Sequence, residues 1–392
     1  MYIALLGRQP ELSIAELEQV YGSVRWFSAT TALVDSSTFD IQKLGGTQKA
    51  GKIVLDIPSS DWRKVNEAII RHYTEEWRKA EGKITLGLST YDFTVAPRVL
   101  QKTGLILKSK LKQSGVSLRL IPNQESTLST ATSHHNKLGL SDNKVELLIF
   151  SNGKKTLVAE STGAQNITAL AARDQGRPKR DAFVGMLPPK LALMMVNMAG
   201  PLKPEAEFTP AAPRVLDPFC GTGVILQEAS LLDYAVYGTD LSEKMIRFSR
   251  DNLNWLQEKF TRATNWYLHE GDAIDTQWQQ PISAVVSEAY LGQPFSAPPS
   301  PSKLTEVRGN CNHIISQFLK NLGRQIESGT PVVLAVPAWK STDGTFTHLP
   351  LISKLDDLGF TEVQMSTVHP DQLLYFRPDQ VVARQLLVLK KT

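Results

Sequence analysis

Short apolar runs separated by turn residues fill the first 165 positions, whereas from about residue 215 onward such runs alternate with longer stretches of helical period. In the first part the alternation predicts strands at 2–6, 31–34, 52–57, 84–89, 117–121, 145–150 and 156–160. Ser13 with Glu16 reads as a capping box opening a helix of about eight residues, Asp61 as the cap of a helix reaching Trp77, and Pro97 as the start of a helix to Gln113. Asn152-Gly153 between two apolar runs predicts a hairpin turn. A polar, basic stretch at 161–190 and a helix at 190–198 follow, then Pro201, Pro204, Pro210 and Pro213 break the chain. Beyond them, strands at 215–216, 235–238 and 282–286 alternating with helices predict a parallel α/β sheet. The expected layout is an α+β unit at 1–80, a second at 81–165, a linker with a helix at 166–200, and a Rossmann-like α/β domain at 201–392.

Composition narrows the classes. With 42% hydrophobic and 21% charged residues the chain is neither disordered nor fibrous. No apolar stretch approaches the roughly 20 residues that span a bilayer, and the first residues lack a charged segment with a cleavage site. A cytoplasmic location is expected, in keeping with only two cysteines, Cys220 and Cys311. They are too few for a Cys-rich zinc site, and His134-His135 has no third ligand beside it, so no metal is expected. The net charge of +4 matters less than its distribution. Between Asp92 and Glu125 no acid occurs, while Arg98, Lys102, Lys108, Lys110, Lys112 and Arg119 do, and Arg173, Arg177, Lys179 and Arg180 cluster further on. Arg98, Lys102, Lys108, Lys110, Lys112, Arg173 and Arg177 are candidate phosphate contacts; for the helix, a plain solvated face is the competing reading.

The strongest chemical signal is Asp217-Pro218-Phe219-Cys220-Gly221-Thr222-Gly223, placed between a strand and an apolar helix. Gly221 and Gly223 allow a tight turn and close approach of backbone to a ligand, and the helix start offers amide donors. Asp240 stands 23 positions later, at the end of the next strand, where an acid can bond ribose hydroxyls in a doubly wound fold. A dinucleotide site would want a third glycine where Leu226 stands, and Asp217 would sit badly beside a pyrophosphate.

The Asp217–Gly223 segment resembles the first motif of class I S-adenosylmethionine methyltransferases, in the variant found in enzymes that modify exocyclic amines of nucleobases. Gly271-Asp272-Ala273 resembles their adenine-contacting motif, and Leu187-Pro188-Pro189 their lid over the methionine end. Upstream, Leu6-Gly7-Arg8-Gln9-Pro10-Glu11-Leu12-Ser13, Leu44-Gly45-Gly46-Thr47 and Arg173-Asp174-Gln175-Gly176-Arg177-Pro178 are similar to the THUMP-containing tRNA guanine-N2-methyltransferases of the archaeal and eukaryotic type. The resemblance spans nearly the whole chain. It implies a ferredoxin-like domain, a THUMP domain gripping tRNA, and a class I methyltransferase domain with a seven-stranded, mostly parallel sheet. It further implies an S-adenosylmethionine site at Asp217, Phe219, Cys220, Gly221, Gly223, Asp240, Leu241, Asp272 and Ala273, with Leu187 and Pro188 over it. In that family Asp or Asn, two prolines and an aromatic receive the target amine after the fourth strand; here Ser287-Glu288-Ala289-Tyr290 stands there. Ser287 and Glu288 are the candidate acceptors and Tyr290 the stacking ring. The implied activity is N2-methylation of guanosine in tRNA, at position ten. Adenine-N6 methylation and a non-catalytic RNA-binding protein stand as alternatives, and a small activating subunit and the oligomeric state stay open.

Overall fold

The computed structural model describes residues 1–181, 187–202, 213–261 and 265–392, so Pro204 and Pro210 lie outside the described residues. Two compact units result, one from Met1–Leu17 and Tyr21–Ala169, the other from Leu170–Thr392 with Glu18–Val20.

The first unit runs β1 (Tyr2–Leu6), α1 (Pro10–Tyr21), β2 (Val24–Ser28), β3 (Thr31–Val34), β4 (Thr47–Ile57) and α2 (Trp62–Glu76). It continues with β5 (Lys83–Tyr91), α3 (Pro97–Gln113), β6 (Ser117–Leu120), α4 (Thr130–His135), β7 (Lys144–Ser151) and β8 (Thr156–Ala164). All eight strands join in one sheet, ordered β2-β3-β1-β4-β8-β7-β5-β6. The parts expected at 1–80 and 81–165 therefore share a sheet, through the antiparallel pairing of β4 with β8. They also share buried side chains: Val65, Ile69 and Tyr73 of α2 pack with Leu86, Leu107 and Leu147. The buried Lys49 ammonium of β4 lies 2.5 Å from the Glu146 carboxylate of β7, binding the two parts polar to polar.

The capping box expected at Ser13 does not form. Pro10, whose fixed φ suits a first helical turn, starts α1 earlier. Ser13 then lies within the helix, its hydroxyl donating to the Gln9 carbonyl and accepting from the Gly7 amide. Glu16, fully buried, accepts from the Gly45 and Gly46 amides at 2.7 and 2.8 Å, which brings together two segments that the sequence resemblance had joined only on paper.

The second unit contains most of α5 (Ile167–Gln175), then α6 (Pro189–Met198), β9 (Arg214–Asp217), α7 (Val224–Leu231), β10 (Ala235–Asp240), α8 (Glu243–Phe260) and β11 (Trp266–Glu270). After these come β12 (Ala284–Glu288), α9 (Pro301–Leu322), β13 (Pro331–Lys340), β14 (Phe346–Thr347), β15 (Phe360–Glu362), β16 (Leu374–Tyr375) and β17 (Val382–Lys391). The main path is β11-β10-β9-β12-β13-β17-β15; β14 beside β13 and β16 beside β17 raise the sheet from the expected seven strands to nine. The strands from β11 to β13 are parallel, and β17 is antiparallel to both β13 and β15. The chain leaves β9 toward β10 on one side and reaches β12 on the other, so the strand order reverses there and a crevice opens above the carboxyl ends. Phe318, Leu319 and Leu322 of α9 are buried with Val285, Val332 and Leu334 beneath it. No helix among the described residues is long and apolar enough to cross a membrane.

Candidate active site

The crevice holds a cavity of about 530 Å³, within the usual range for a small-molecule site. Its floor is the turn between β9 and α7. Gly221 and Gly223 adopt φ of +51° and +77°, the left-handed region where a side chain is strained. A Cβ on Gly223 would also stand 2.9 Å from the Ser249 hydroxyl, which donates to the Gly221 carbonyl at 2.8 Å. Asn252, one turn along α8, donates to the Thr222 carbonyl at 2.8 Å, so a helix remote in sequence braces the turn. Leu226, where a dinucleotide fold would place a glycine, is fully buried; the small residue sits instead on the facing strand, as Gly238, whose Cβ would lie 2.6 Å from Leu226.

Three acids line the cavity in strand order. Asp217 ends β9, Asp240 ends β10, and Asp272 follows β11. One Asp217 oxygen accepts from the Ser287 hydroxyl at 2.6 Å and the Phe219 amide at 3.2 Å. Burial raises the Asp217 carboxyl to about 7; the hydrogen bonds from Ser287 and Phe219 pull it down, and the negative charges of Asp240 and Glu288 push it up. Asp240 accepts from the Gly221 and Ser242 amides, both at 2.9 Å, and burial raises its carboxyl in spite of them. It is thus both a cavity wall and the clasp of the glycine turn. Gly271 donates to the Asp240 carbonyl at 3.0 Å, bringing the loop of Asp272, Ala273 and Ile274 alongside.

Leu187, Phe219, Cys220, Gly221 and Leu241 also line the cavity, as expected; Pro188 and Gly223 do not. Pro188 caps α6 and Gly223 turns the chain into α7. Burial pushes the Cys220 thiol far up, so it is a packing group rather than a nucleophile.

The acceptor segment divides. The fourth parallel strand, expected to end at 286, continues through Ser287 and Glu288. Ser287 is fully buried and engaged with Asp217, and it does not line the cavity. Glu288 and Tyr290 do line it, and Tyr290 is 42% exposed. Glu288 Oε1 accepts from the Nε of Arg384 on β17, a partner that the sequence reading missed. A charged residue in β17 just before the apolar run Leu386–Leu389 was the available signal.

The basic candidates also divide. In α3, Leu100, Leu107 and Leu111 are buried while Arg98, Lys102, Lys108, Lys110 and Lys112 are exposed, and among the described residues none of these five pairs with a carboxylate. At about 100° per residue, Arg98, Lys102, Lys108 and Lys112 fall within roughly a 120° arc, whereas Lys110 points elsewhere. Lys108 and Arg119 line, with Lys83, a second cavity of about 360 Å³. Arg173 and Arg177 correct the expectation: both are buried. The Arg173 guanidinium grips Glu228 of α7 through two bonds of 2.6 and 3.0 Å, and its side chain is only 9% exposed. Arg177 donates to the Arg173 carbonyl, and burial lowers its guanidinium from the ordinary value.

Residues 177–334 match the UPF0020 family model, described as the RMKL-like methyltransferase domain. Over 166 residues the chain is 29% identical to the tRNA (guanine(10)-N2)-dimethyltransferase of Methanothermobacter thermautotrophicus, covering 42% of this chain and 43% of that one. Over 111 residues it is 33% identical to the protein of the same name from Pyrococcus abyssi, covering 28% and 26%. The chain thus spans less than half the length of these curated relatives. Among solved structures, TrmN from Thermus thermophilus superposes with a TM-score of 0.52 at 15% identity, covering 100% of this chain and 99% of that one, a likeness of fold. By its strand order and the match over residues 177–334, the second unit is similar in fold to class I methyltransferase domains.

Proposed function

We propose that this protein uses S-adenosylmethionine to methylate the N2 amine of a guanosine in tRNA, at position ten. One observation carries the reading: Asp217, Asp240 and Asp272 stand in strand order around a single cavity whose wall also holds Glu288 and Tyr290. The donor set suits the cofactor. Asp217, with one oxygen left unpaired by Ser287 and Phe219, suits a cationic amino group; Asp240 keeps lone pairs for ribose hydroxyls; Asp272 and Ala273, beside the exposed Leu241 and Ile274, suit an adenine. Bound there, S-adenosylmethionine supplies a methyl group on a cationic sulfur that is already a good leaving group. The protein's work is then orientation rather than strong base catalysis. Tyr290 stacks on the extruded base, Glu288 accepts from its amine, and Ser287 acts as a positioning residue through Asp217.

We assign the first unit to tRNA capture, with a THUMP-like part within 81–165 and the cations of α3 on the phosphates, in the cytoplasm. The names carried by the archaeal relatives support guanosine ten as the target. Nucleoside mass spectrometry of tRNA from cells lacking the gene tests the reading: N2-methylguanosine should disappear at position ten. Loss of N6-methyladenosine instead would reassign the target to adenine, and an unchanged profile, with RNA binding by the purified protein, would favour the non-catalytic alternative.

A further inference from the structure

Glu288 and Arg384 lie 96 positions apart yet form a nearly buried ion pair, with side chains 15% and 8% exposed. A buried pair is poor grounds for stability, because its desolvation cost commonly exceeds its attraction and apolar side chains of similar volume do as well or better. This one sits on the wall of the cavity, since Glu288 lines it.

The sheet explains how the two meet. Glu288 is opposite Ala335 of β13, which is opposite Leu386 of β17, and Arg384 is two residues from Leu386. Side chains two apart on a strand share a face, so Arg384, Leu386, Ala335 and Glu288 all project to one side. The intervening Ala335 is small, and the Arg384 guanidinium reaches Glu288 across β13. Arg384 itself is held from both flanks, paired with Pro337 of β13 and Tyr375 of β16. The next residue, Gln385, anchors the strand from the opposite face through a 2.6 Å bond to the His348 ring. The Arg384 bond uses Oε1 of Glu288, and Oε2 takes no hydrogen bond from any described residue.

We propose that Arg384 is a positioning residue that locks Glu288 Oε1 so that Oε2 is presented, as a fixed acceptor, to the adjacent N–H donors of a guanine-type base edge. This rests on the guanosine reading above. A guanine offers an amine next to a ring N–H, both donors, and the two lone pairs of Oε2 can accept both; an adenine offers a donor next to an acceptor, and that acceptor repels the same oxygen. Arg384 acts through Glu288 and touches neither base nor cofactor.

The test uses the full chain, saturated with S-adenosylmethionine, and unmodified tRNA transcripts. Arg384→Gln, Arg384→Lys, Glu288→Gln and the Glu288→Gln/Arg384→Gln double variant are compared, with melting curves and calorimetric cofactor affinity taken in parallel. Removing both charges together guards against misfolding from one stranded charge. Arg384→Gln should lower kcat about thirtyfold or more while cofactor affinity and KM for tRNA stay within about twofold, Arg384→Lys should restore part of the loss, and the double variant should be no slower than Glu288→Gln alone. Wild-type kcat in Arg384→Gln, or losses that multiply in the double variant, would overturn the positioning role while leaving the guanosine reading intact. A wild-type chain that binds cofactor and methylates no tRNA would overturn both.

Discussion

Two basic regions of this protein look alike in sequence and behave oppositely in the fold. Along α3, cations stand on the face opposite Leu100, Leu107 and Leu111, exposed and without a carboxylate partner among the described residues. At the start of the second unit, Arg173 is buried against Glu228 and Arg177 is buried beside it. The difference teaches that density of positive charge does not decide whether a segment's cations stay exposed; the companion charge does. Glu228 is the companion, an acid inside the apolar helix Val224–Leu231, and such an acid is affordable only with an arginine folded onto it. Burial raises the Glu228 carboxyl even with Arg173 against it, so desolvation there outweighs the attraction of the pair on that group.

Breaking the buried side of the comparison should give the largest effect. Arg173→Ala strands Glu228 without its partner and should cost about 3–5 kcal/mol of stability, read as a lowered denaturation midpoint, while tRNA affinity of the folded fraction stays unchanged. Reduced tRNA affinity at full stability would return Arg173 to the phosphate contacts.

Next in size is the titration of Asp217, the buried acid at the cavity. Free Asp217 titrates at about 7, well above an unfolded aspartate. Because the raised value belongs to the folded state, its contribution to stability is full below the unfolded value near 4 and is lost as pH rises through about 7. Binding of a cationic amino group selects the carboxylate, so affinity for S-adenosylmethionine should rise up to about tenfold per pH unit from pH 5 to about 7 and then level off. Ser287→Ala removes a hydrogen bond that favours the carboxylate and should move that rise to higher pH. Calorimetry across pH checks both, and a flat profile would remove Asp217 from the amino-group site.

The exposed side is sharpened by charge reversal on α3. Lys102, Lys108 and Lys112 changed together to Glu should weaken tRNA binding and flatten its dependence on log salt by roughly two to three, with stability within about 0.5 kcal/mol of wild type. The smallest effect is the control: Lys110→Glu, on the other side of the helix, should change tRNA affinity less than twofold. Filter binding across a salt series reads both, and equal losses from Lys110 and Lys108 single variants would dissolve the face.

Much of the site was legible because its chemistry is local. A strand ending in an acid, two glycines at positive φ and an apolar helix are adjacent along the chain, and backbone sterics alone demand glycine at such φ values. Asp240 and Asp272 were legible for the same reason, each being placed by its own strand end. The alternation of strands with helices from β9 onward likewise predicted a parallel sheet before any contact was known. Even the acidity of the cavity could be written down from residue types.

Partner choice was not legible, because it depends on which strands become neighbours. The order β9-β12 brings Ser287 against Asp217, 70 positions away, and turns a candidate acceptor into a buried donor. The order β12-β13-β17 lets Arg384 reach Glu288 across Ala335. Pairing of β4 with β8 merges two expected small domains into one sheet, and α1 lays Glu16 under Gly45 and Gly46. By itself the sequence determined the turn, the strand-end acids and the charge of α3, all consequences of local geometry and composition. Only the tertiary structure decided which charges are buried and what holds each one, because desolvation and pairing act between residues that the chain keeps far apart and the sheet brings within a few ångströms.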